Sequence, residues 1–145
     1  MTTRKPKLRF LSALLAVAML LTLLPTAAFA ETGNGNNVII SFIDGIPDTK
    51  AEGVAEKTTG IFEGTGWTYD TTGKNAILTI QPNYIADFGD EKIDCRIQNS
   101  GEIKSGYFYQ SVTNNGSGRI SGGHFWGYIA NFGKISDGVF QQGST

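Results

Sequence analysis

Cysteine and histidine are almost missing from this chain of 145 residues, which has one of each, Cys95 and His124. A single cysteine cannot form a disulfide within the chain, so stability must come from a packed core or from stacked repeats. Without a second histidine, neither a histidine-rich zinc site nor a conventional Ser-His-Asp triad can be assembled. We expect Cys95 to be a small buried side chain, and we predict no catalytic residue, metal or cofactor.

No apolar run is as long as the roughly 20 residues of a membrane-spanning helix. The uncharged run Phe10–Leu24 follows four basic residues, is broken by Pro25 and leads into Ala28-Phe29-Ala30. Basic start, short apolar stretch and A-x-A end are typical of a bacterial signal peptide. The sequence predicts that residues 1–30 are removed after Ala30 and that the mature chain is secreted or on the cell surface, with no membrane segment.

Positive charge is scarce in the predicted mature chain. The whole sequence has twelve Lys and Arg and thirteen Asp and Glu. Four of the basic residues lie before residue 31 and all of the acids lie from Glu31 onward, which leaves 8 − 13 = −5 as the net charge. Phosphate binding requires basic patches, so this balance argues against nucleic acid as a partner.

Residues 31–64 combine a polar leader with a predicted cap strand. Val38–Ile43 is rich in β-branched and aromatic residues, as strands are, and Asp44-Gly45 is a turn that ends it. Residues 48–59 favour a loop or a single helical turn around Ala51–Glu56. We predict no longer helix in the mature chain.

Residues 65–145 are predicted to hold a hairpin followed by repeats. In Gly66–Ile80, G-W-T-Y-D-T-T-G-K-N-A-I-L-T-I, two alternating segments flank a polar turn, which indicates a β-hairpin whose second strand is Ala76–Ile80. Tyr84–Phe88 extends the sheet as far as a turn at Gly89-Asp90.

Three tandem repeats are the most informative feature of the sequence. They are I-Q-N-S-G-E-I-K-S-G-Y-F (97–108), V-T-N-N-G-S-G-R-I-S-G-G-H-F (112–125) and I-A-N-F-G-K-I-S-D-G-V-F (129–140). Like positions recur after 15 or 17 residues, and one insertion of two residues near Ser117-Gly118 accounts for the difference. The repeat is too short for two helices and alternates with a period of two, so each copy predicts one coil of short strands.

Alignment of the copies places like residues in columns, as expected for coils that stack. The columns are Phe108, Phe125 and Phe140; Ile103, Ile120 and Ile135; Ile97, Val112 and Ile129; Asn99, Asn114 and Asn131; and Gly106, Gly123 and Gly138. We expect the apolar columns inside, the asparagines in a hydrogen-bonded ladder and the glycines at bends with positive φ.

The predicted fold is therefore all-β: a short β-solenoid of about three rungs of 15–17 residues, preceded by an N-terminal β cap or hairpin. Repeat arrays require polar caps for solubility. Phe140 closes the last recognisable rung, so we expect that rung to be partly exposed and prone to end-to-end self-association, or to have a natural continuation.

The motif I-S-G-G-H-F at Ile120–Phe125, with V-x-N-x-G before it, resembles tandem repeats in secreted and surface β-solenoid proteins of gut Firmicutes. The segment Gly66–Ile80 resembles the hairpin that precedes β-helical arrays in such proteins. The resemblance implies a modular surface protein that acts in adhesion, carbohydrate contact or surface display. This chain departs from the family in having only about three rungs and no visible cell-wall sorting motif.

Outward aromatic side chains are the candidate ligand-binding residues. If Phe108 and Phe125 point inward, then Tyr107, Tyr109, His124 and Trp126 beside them point outward, and Tyr109 and Trp126 stack one rung apart at roughly 4.8 Å. Exposed flat rings can stack against the faces of sugars. Tyr107, Tyr109 and Trp126 are therefore the predicted glycan contacts.

Two alternatives for this face remain open: a ladder of rings that only stabilises the coil, or a face covered by Trp67 and Tyr69 of the hairpin. His124 falls in one column with Tyr107 and Val139, which indicates a variable position rather than a catalytic one.

An acidic run made of Asp87, Asp90, Glu91 and Asp94 could hold calcium. Its spacing does not match an EF-hand loop, so a solvated turn is favoured. No acid recurs in the repeat columns, which argues against a paired-carboxylate glycosidase. The sequence predicts a non-enzymatic extracellular structural or adhesion module whose partner is a glycan or a surface protein. A carbohydrate-binding module is the alternative, and a polysaccharide-degrading β-helix enzyme is less favoured.

Overall fold

The computed structural model describes residues 36–141, which contain sixteen β-strands and no helix. The strands are β1 (Asn36–Asn37), β2 (Phe42–Ile43), β3 (Ile46–Pro47), β4 (Ala55–Thr58), β5 (Ile61–Gly64), β6 (Trp67–Asp70), β7 (Ile77–Ile80), β8 (Tyr84–Ile93), β9 (Arg96–Asn99), β10 (Glu102–Phe108), β11 (Val112–Asn114), β12 (Arg119–Ile120), β13 (His124–Phe125), β14 (Ile129–Asn131), β15 (Lys134–Ile135) and β16 (Val139–Phe140). The all-β prediction is confirmed. The predicted export signal, residues 1–30, lies outside the described residues, and within residues 36–141 no helix is long and apolar enough to cross a membrane.

Parallel strands stack into a β-solenoid of four turns, which we call rungs. Rung 1 consists of β7 and β8, rung 2 of β9 and β10, rung 3 of β11 to β13, and rung 4 of β14 to β16. One wall is the parallel series β7, β9, β11 and β14. The other wall begins with β8 and β10 and continues through β12 and β13 to β15 and β16. The predicted solenoid is confirmed, and it has one rung more than the three that the repeats indicate.

The alignment of the repeats does not include rung 1, because the residues of rung 1 differ in type from those in the columns that they continue. Leu78 pairs with Ile97, and Ile80 pairs with Asn99. The side chains of Leu78 and Ile80 are fully buried. The second strand of the predicted hairpin is thus also the first strand of the solenoid, since apolar shape suffices to continue a column whose residue identity has changed.

Strand β8 contains a bulge where the sequence predicts a turn at Gly89-Asp90. Its partners in β10 shift register between the pair Asp87 and Ser105 and the pair Lys92 and Tyr107. Four residues, 88–91, therefore lie opposite Gly106 alone. The prediction of a chain reversal at Gly89-Asp90 is wrong, because the strand resumes after the bulge and runs to Ile93.

The phenylalanine column is formed as predicted. Phe108 pairs with Phe125, and Phe125 with Phe140. The ring centroids are 4.7 Å and 5.1 Å apart, with interplanar angles of 8° and 11°. The isoleucine columns are also in register, from Ile103 to Ile120 and onward. Each rung therefore covers the apolar side chains of the one before it, which removes them from water.

The asparagine column forms the predicted ladder inside the core. Asn99 donates from Nδ2 to Oδ1 of Asn114 at 2.8 Å, and Asn114 donates to Oδ1 of Asn131 at 2.7 Å. The donors Asn99 and Asn114 also reach main-chain carbonyls, those of Arg119 and of Gly118 respectively. A buried amide costs free energy wherever its polar atoms lack hydrogen bonds, and the neighbouring rungs supply most of the bonds of this ladder.

The glycine column marks a bend in rungs 2 to 4. Gly106, Gly123 and Gly138 have φ values of 128°, 108° and 140°. At Gly123, an added Cβ would lie 3.1 Å from the ring of Phe125. Both the backbone conformation and the close approach of the ring exclude other residues, as predicted.

An antiparallel extension precedes rung 1. Strands β4, β5, β6 and β7 pair in that order, so the predicted hairpin of Trp67–Asp70 and Ile77–Ile80 is confirmed. The proposed helical turn around Ala51–Glu56 is wrong, because Ala55 and Glu56 pair with β5. Trp67 is buried in the core and donates from its indole to the carbonyl of Ile39 at 3.2 Å.

The predicted strand Val38–Ile43 is only partly correct. Only Phe42 and Ile43 form a strand, which pairs with β3 across the predicted turn at Asp44-Gly45, where both residues have positive φ. The preceding residues instead lie against the solenoid: Val38 is buried and donates to the carbonyl of Ile85 at 2.8 Å. Burial of Val38 against the core favours this path over a longer strand, whereas Ile39 is 83% exposed.

Candidate functional site

Four outward side chains form an aromatic row on rungs 2 and 3, made of Tyr107, Tyr109, His124 and Trp126. They flank the buried residues Phe108 and Phe125, since successive strand residues point to opposite faces. Tyr109 is 41% exposed, and the other three are partly exposed. The predicted outward direction is therefore confirmed.

The rings of the row stack along the axis of the solenoid. Tyr109 and Trp126 have centroids 5.0 Å apart and planes at 7°, close to the predicted spacing. Tyr107 and His124 lie 4.7 Å apart at 3°. Trp126 also lies 5.7 Å from Tyr107, so the three predicted residues are brought together, and His124 joins them. The stacked contacts of four rings make the row rigid.

Stacking limits which ring surfaces can bind a ligand, because each ring covers a face of its neighbour. The ring faces between rungs 2 and 3 are occupied, and the row presents the edges of these rings on the outer surface. In rung 1 the residue next to Tyr109 is Asp94, since the backbone amide of Tyr109 donates to the carbonyl of Ile93. Within residues 36–141, Trp126 is the ring that stacks on Tyr109, and rung 1 supplies a carboxylate at this position instead of a further ring.

Tyr109 lines a groove of about 620 Å³. The lining residues are Asp44, Gly45, Asp90, Glu91, Lys92, Asp94 and Tyr109. The volume is within the range of pockets for small ligands. Four carboxylates and one ammonium group give the groove acceptors for hydroxyl or amine donors beside a single aromatic surface.

The bulge of β8 and the turn after β2 together build this groove. The bulge carries Asp90 and Glu91 outward, and the β-turn places Asp44 and Gly45 opposite them, where Gly45 accepts a 2.7 Å hydrogen bond from the backbone of Asp94. The side chain of Asp94 accepts a 2.8 Å hydrogen bond from Gln110. The acidic run of the sequence is thus solvent-exposed, as predicted, but it also forms the wall of a groove.

Trp67 and Tyr69 do not cover the aromatic row. Both are buried in the core, at 1% and 4% exposure, on the antiparallel extension. That alternative from the sequence is therefore wrong. The remaining alternative, a ladder that only stabilises the coil, describes the stacked faces but not the groove that Tyr109 lines.

The clearest pKa shifts in residues 36–141 lie away from the row. Burial, together with the nearby charge of Asp94, raises the pKa of Cys95 to about 12. Burial also raises the pKa of Tyr69. Hydrogen bonds from Thr72 lower the pKa of Asp70 in the hairpin turn. Cys95 is thus the small buried side chain that the sequence predicts.

Sequence reasoning missed the groove, which combines residues about fifty positions apart in the chain that no local pattern connects. The outward direction of His124, predicted from the same alternation as that of Trp126, is confirmed. Comparison with protein-family models, with curated proteins and with solved structures gives no match to this chain. The fold places the described residues in the class of β-solenoid repeat proteins.

Proposed function

We propose that the mature chain is a non-enzymatic extracellular structural or adhesion module. The observation that carries the proposal is the in-register stack of Phe108, Phe125 and Phe140, which makes consecutive rungs one rigid body. Rigid solenoids hold outward side chains at fixed spacing, which suits display and multipoint contact. The signal-peptide pattern of residues 1–30 supports export to the medium or to the cell surface.

The chemistry of the repeat columns supports a role without catalysis. Most recurring positions hold a residue for packing, bending or amide bonding, and the charged column Glu102, Arg119 and Lys134 changes sign between rungs 2 and 3. The shifted pKa values of Tyr69 and Cys95 follow from core burial. Catalytic groups, by contrast, are tuned where they converge on a cleft.

Export and adhesion are tested with the full chain expressed with its own leader. We expect the product in the medium or on the cell surface to begin at Glu31, as read by N-terminal sequencing. Beads coated with this product should be retained on a surface coated with mucin or with cell-wall polysaccharide. Retention inside the cell with the leader intact, or beads that bind no surface, would refute the proposal.

Carbohydrate binding is a second candidate, and one observation favours it. Tyr109 lines a groove with four carboxylates, and sugars offer an apolar ring face together with hydroxyl donors. The ring of Trp126 packs behind Tyr109 at 5.0 Å and holds it in place. We expect the sugar to stack on Tyr109 and to donate hydrogen bonds to the acids.

A glycan array followed by calorimetry tests this candidate. Tyr109→Ala removes the contact surface and should weaken binding at least ten-fold, about 1.4 kcal/mol. Trp126→Ala removes the support behind that ring and should weaken binding less. Tyr128→Ala is the matched control, because Tyr128 is 76% exposed and is not part of the row. Equal affinity of Tyr109→Ala and Tyr128→Ala would exclude the row and leave the first candidate intact.

A further inference from the structure

Rung 4 exposes apolar surface that the other rungs bury. Phe140 is 45% exposed and Ile135 is 36% exposed, whereas their equivalents in rung 3, Phe125 and Ile120, are 1% and 0% exposed. Strands β14, β15 and β16 pair with rung 3 on one side and with no strand of residues 36–141 on the other. The predicted exposure of the last rung is thus confirmed.

The backbone of rung 4 is also open to pairing. The amides of Lys134 and Ser136 donate to rung 3, and so do those of Val139 and Gln141. Successive residues of a strand direct their backbone groups to opposite sides, so the amides between them point away from rung 3. In the asparagine ladder, Asn131 is the last member, and its Nδ2 reaches only the carbonyl of Gly133, at 3.3 Å.

The opposite end of the molecule is protected. Strand β4, at the edge of the antiparallel extension, is exposed throughout, carries Glu56 and Lys57, and has an irregular register after Glu56. Charges and bulges of this kind discourage pairing with another chain. The beginning of β8, the first strand of the other wall, is covered by β1 and by Val38, which pair with Tyr84 and Ile85. The two ends are therefore not complementary to each other.

We propose that rung 4 pairs with rung 4 of a second copy of this chain in a two-fold dimer. Because the other end is protected, head-to-tail stacking of copies into a filament is disfavoured. The contact that remains is between rung 4 of one copy and rung 4 of the other. A two-fold axis makes the strands antiparallel, so the open amides and carbonyls of each copy meet those of the other. The charged residues between Ile129 and Gln141 are Lys134 and Asp137, one of each sign, so the ends do not repel each other.

This dimer goes beyond the proposed function and does not depend on it. One rung is a small surface compared with a standard interface, so the dimer is expected to be weak. It would carry two aromatic rows, which would strengthen attachment to a multivalent surface without any new contact.

Sedimentation velocity of the processed full chain, expressed with its own leader, tests the proposal. Between about 1 µM and about 1 mM, a range that spans weak affinities, we expect a monomer–dimer equilibrium without larger species. Val139→Lys adds one positive charge to the open edge, where Val139 is 46% exposed, and should weaken the dimer at least ten-fold. Thr58→Lys adds the same charge to the protected edge and should leave the dimer unchanged.

Hydrogen exchange of the wild-type chain is the second readout, which is independent of folding of the variants. The amides of Ile135 and Phe140 should become more protected as the concentration rises, while those of β4 should not. A wild-type monomer over the whole range would overturn the proposal and assign the edge to another partner. Growth beyond the dimer, or equal weakening by Thr58→Lys, would also overturn it.

Discussion

Asn99 donates a 2.8 Å hydrogen bond from its side-chain Nδ2 to the side-chain Oδ1 of Asn114, and both residues are fully buried. Asn114 in turn donates from its Nδ2 to Oδ1 of Asn131 in the next rung. The ladder has a direction, since each amide donates toward rung 4. Its first acceptor, Oδ1 of Asn99, has no hydrogen-bond partner among residues 36–141, because Ile80 occupies the same column in rung 1.

Asn114→Ala should destabilise the fold by about 1–3 kcal/mol, because it removes the acceptor of Asn99 and the donor to Asn131 inside the core. Urea unfolding measures the loss. Asn115→Ala is the control: its side chain bonds Ser100 at 2.9 Å in a partly exposed position, and the loss should stay below about 1 kcal/mol. Equal losses would contradict the buried ladder.

Gly123→Ala should destabilise the fold by about 1–3 kcal/mol, because φ is 108° and the added Cβ would meet the rings of Phe125 and Phe108 at 3.1 Å and 3.2 Å. Thermal unfolding compares it with Gly116→Ala. Gly116 has open space around its Cβ position, so that substitution should change stability by less than about 0.5 kcal/mol. A tolerated Gly123→Ala would mean that the bend is not where we place it.

Stability should fall at alkaline pH because of Cys95. Burial raises the pKa of the folded thiol from 9.0 to about 12, so the folded chain keeps a proton that the unfolded chain releases. The contribution is complete below pH 9 and is lost as the pH rises toward 12, by up to about 1.4 kcal/mol per pH unit. Tyr69, whose pKa is also raised, adds to the loss above pH 10.

Urea unfolding at pH 8, 9 and 10 measures this dependence in the wild type and in Cys95→Ala. The variant should lose part of the alkaline decline, and the difference between the two chains isolates the thiol. The same decline in both chains would show that Cys95 is not buried in its protonated form.

The part of the fold that could be predicted is the part in which the same residue type recurs from rung to rung. Phe108, Phe125 and Phe140 recur as the same residue, so their column was visible in the sequence. Rung 1 was not visible, because Leu78 and Ile80 continue columns of isoleucine and asparagine with different side chains, and the bulge in β8 breaks the spacing. Stacking depends on shape and apolar surface, which a search for identical residues does not detect.

The candidate site was predictable only in part, for a similar reason. Alternation around buried Phe108 and Phe125 placed Tyr107, Tyr109 and Trp126 outside, and the structure brings them together. The residue next to Tyr109 in rung 1 is Asp94, and that rung was not recognised. The groove beside Tyr109 therefore emerges only when all four rungs are in place.

Nuclear Overhauser contacts between phenylalanine rings test the solenoid most directly, because they report distances between residues 15 and 17 positions apart. In a chain labelled at phenylalanine, the ring of Phe125 should show contacts to Phe108 and to Phe140, whose centroids lie 4.7 Å and 5.1 Å away. Phe108 and Phe140 should show no contact with each other. Rings that contact unrelated side chains, or Phe125 without either neighbour, would contradict the stacked rungs.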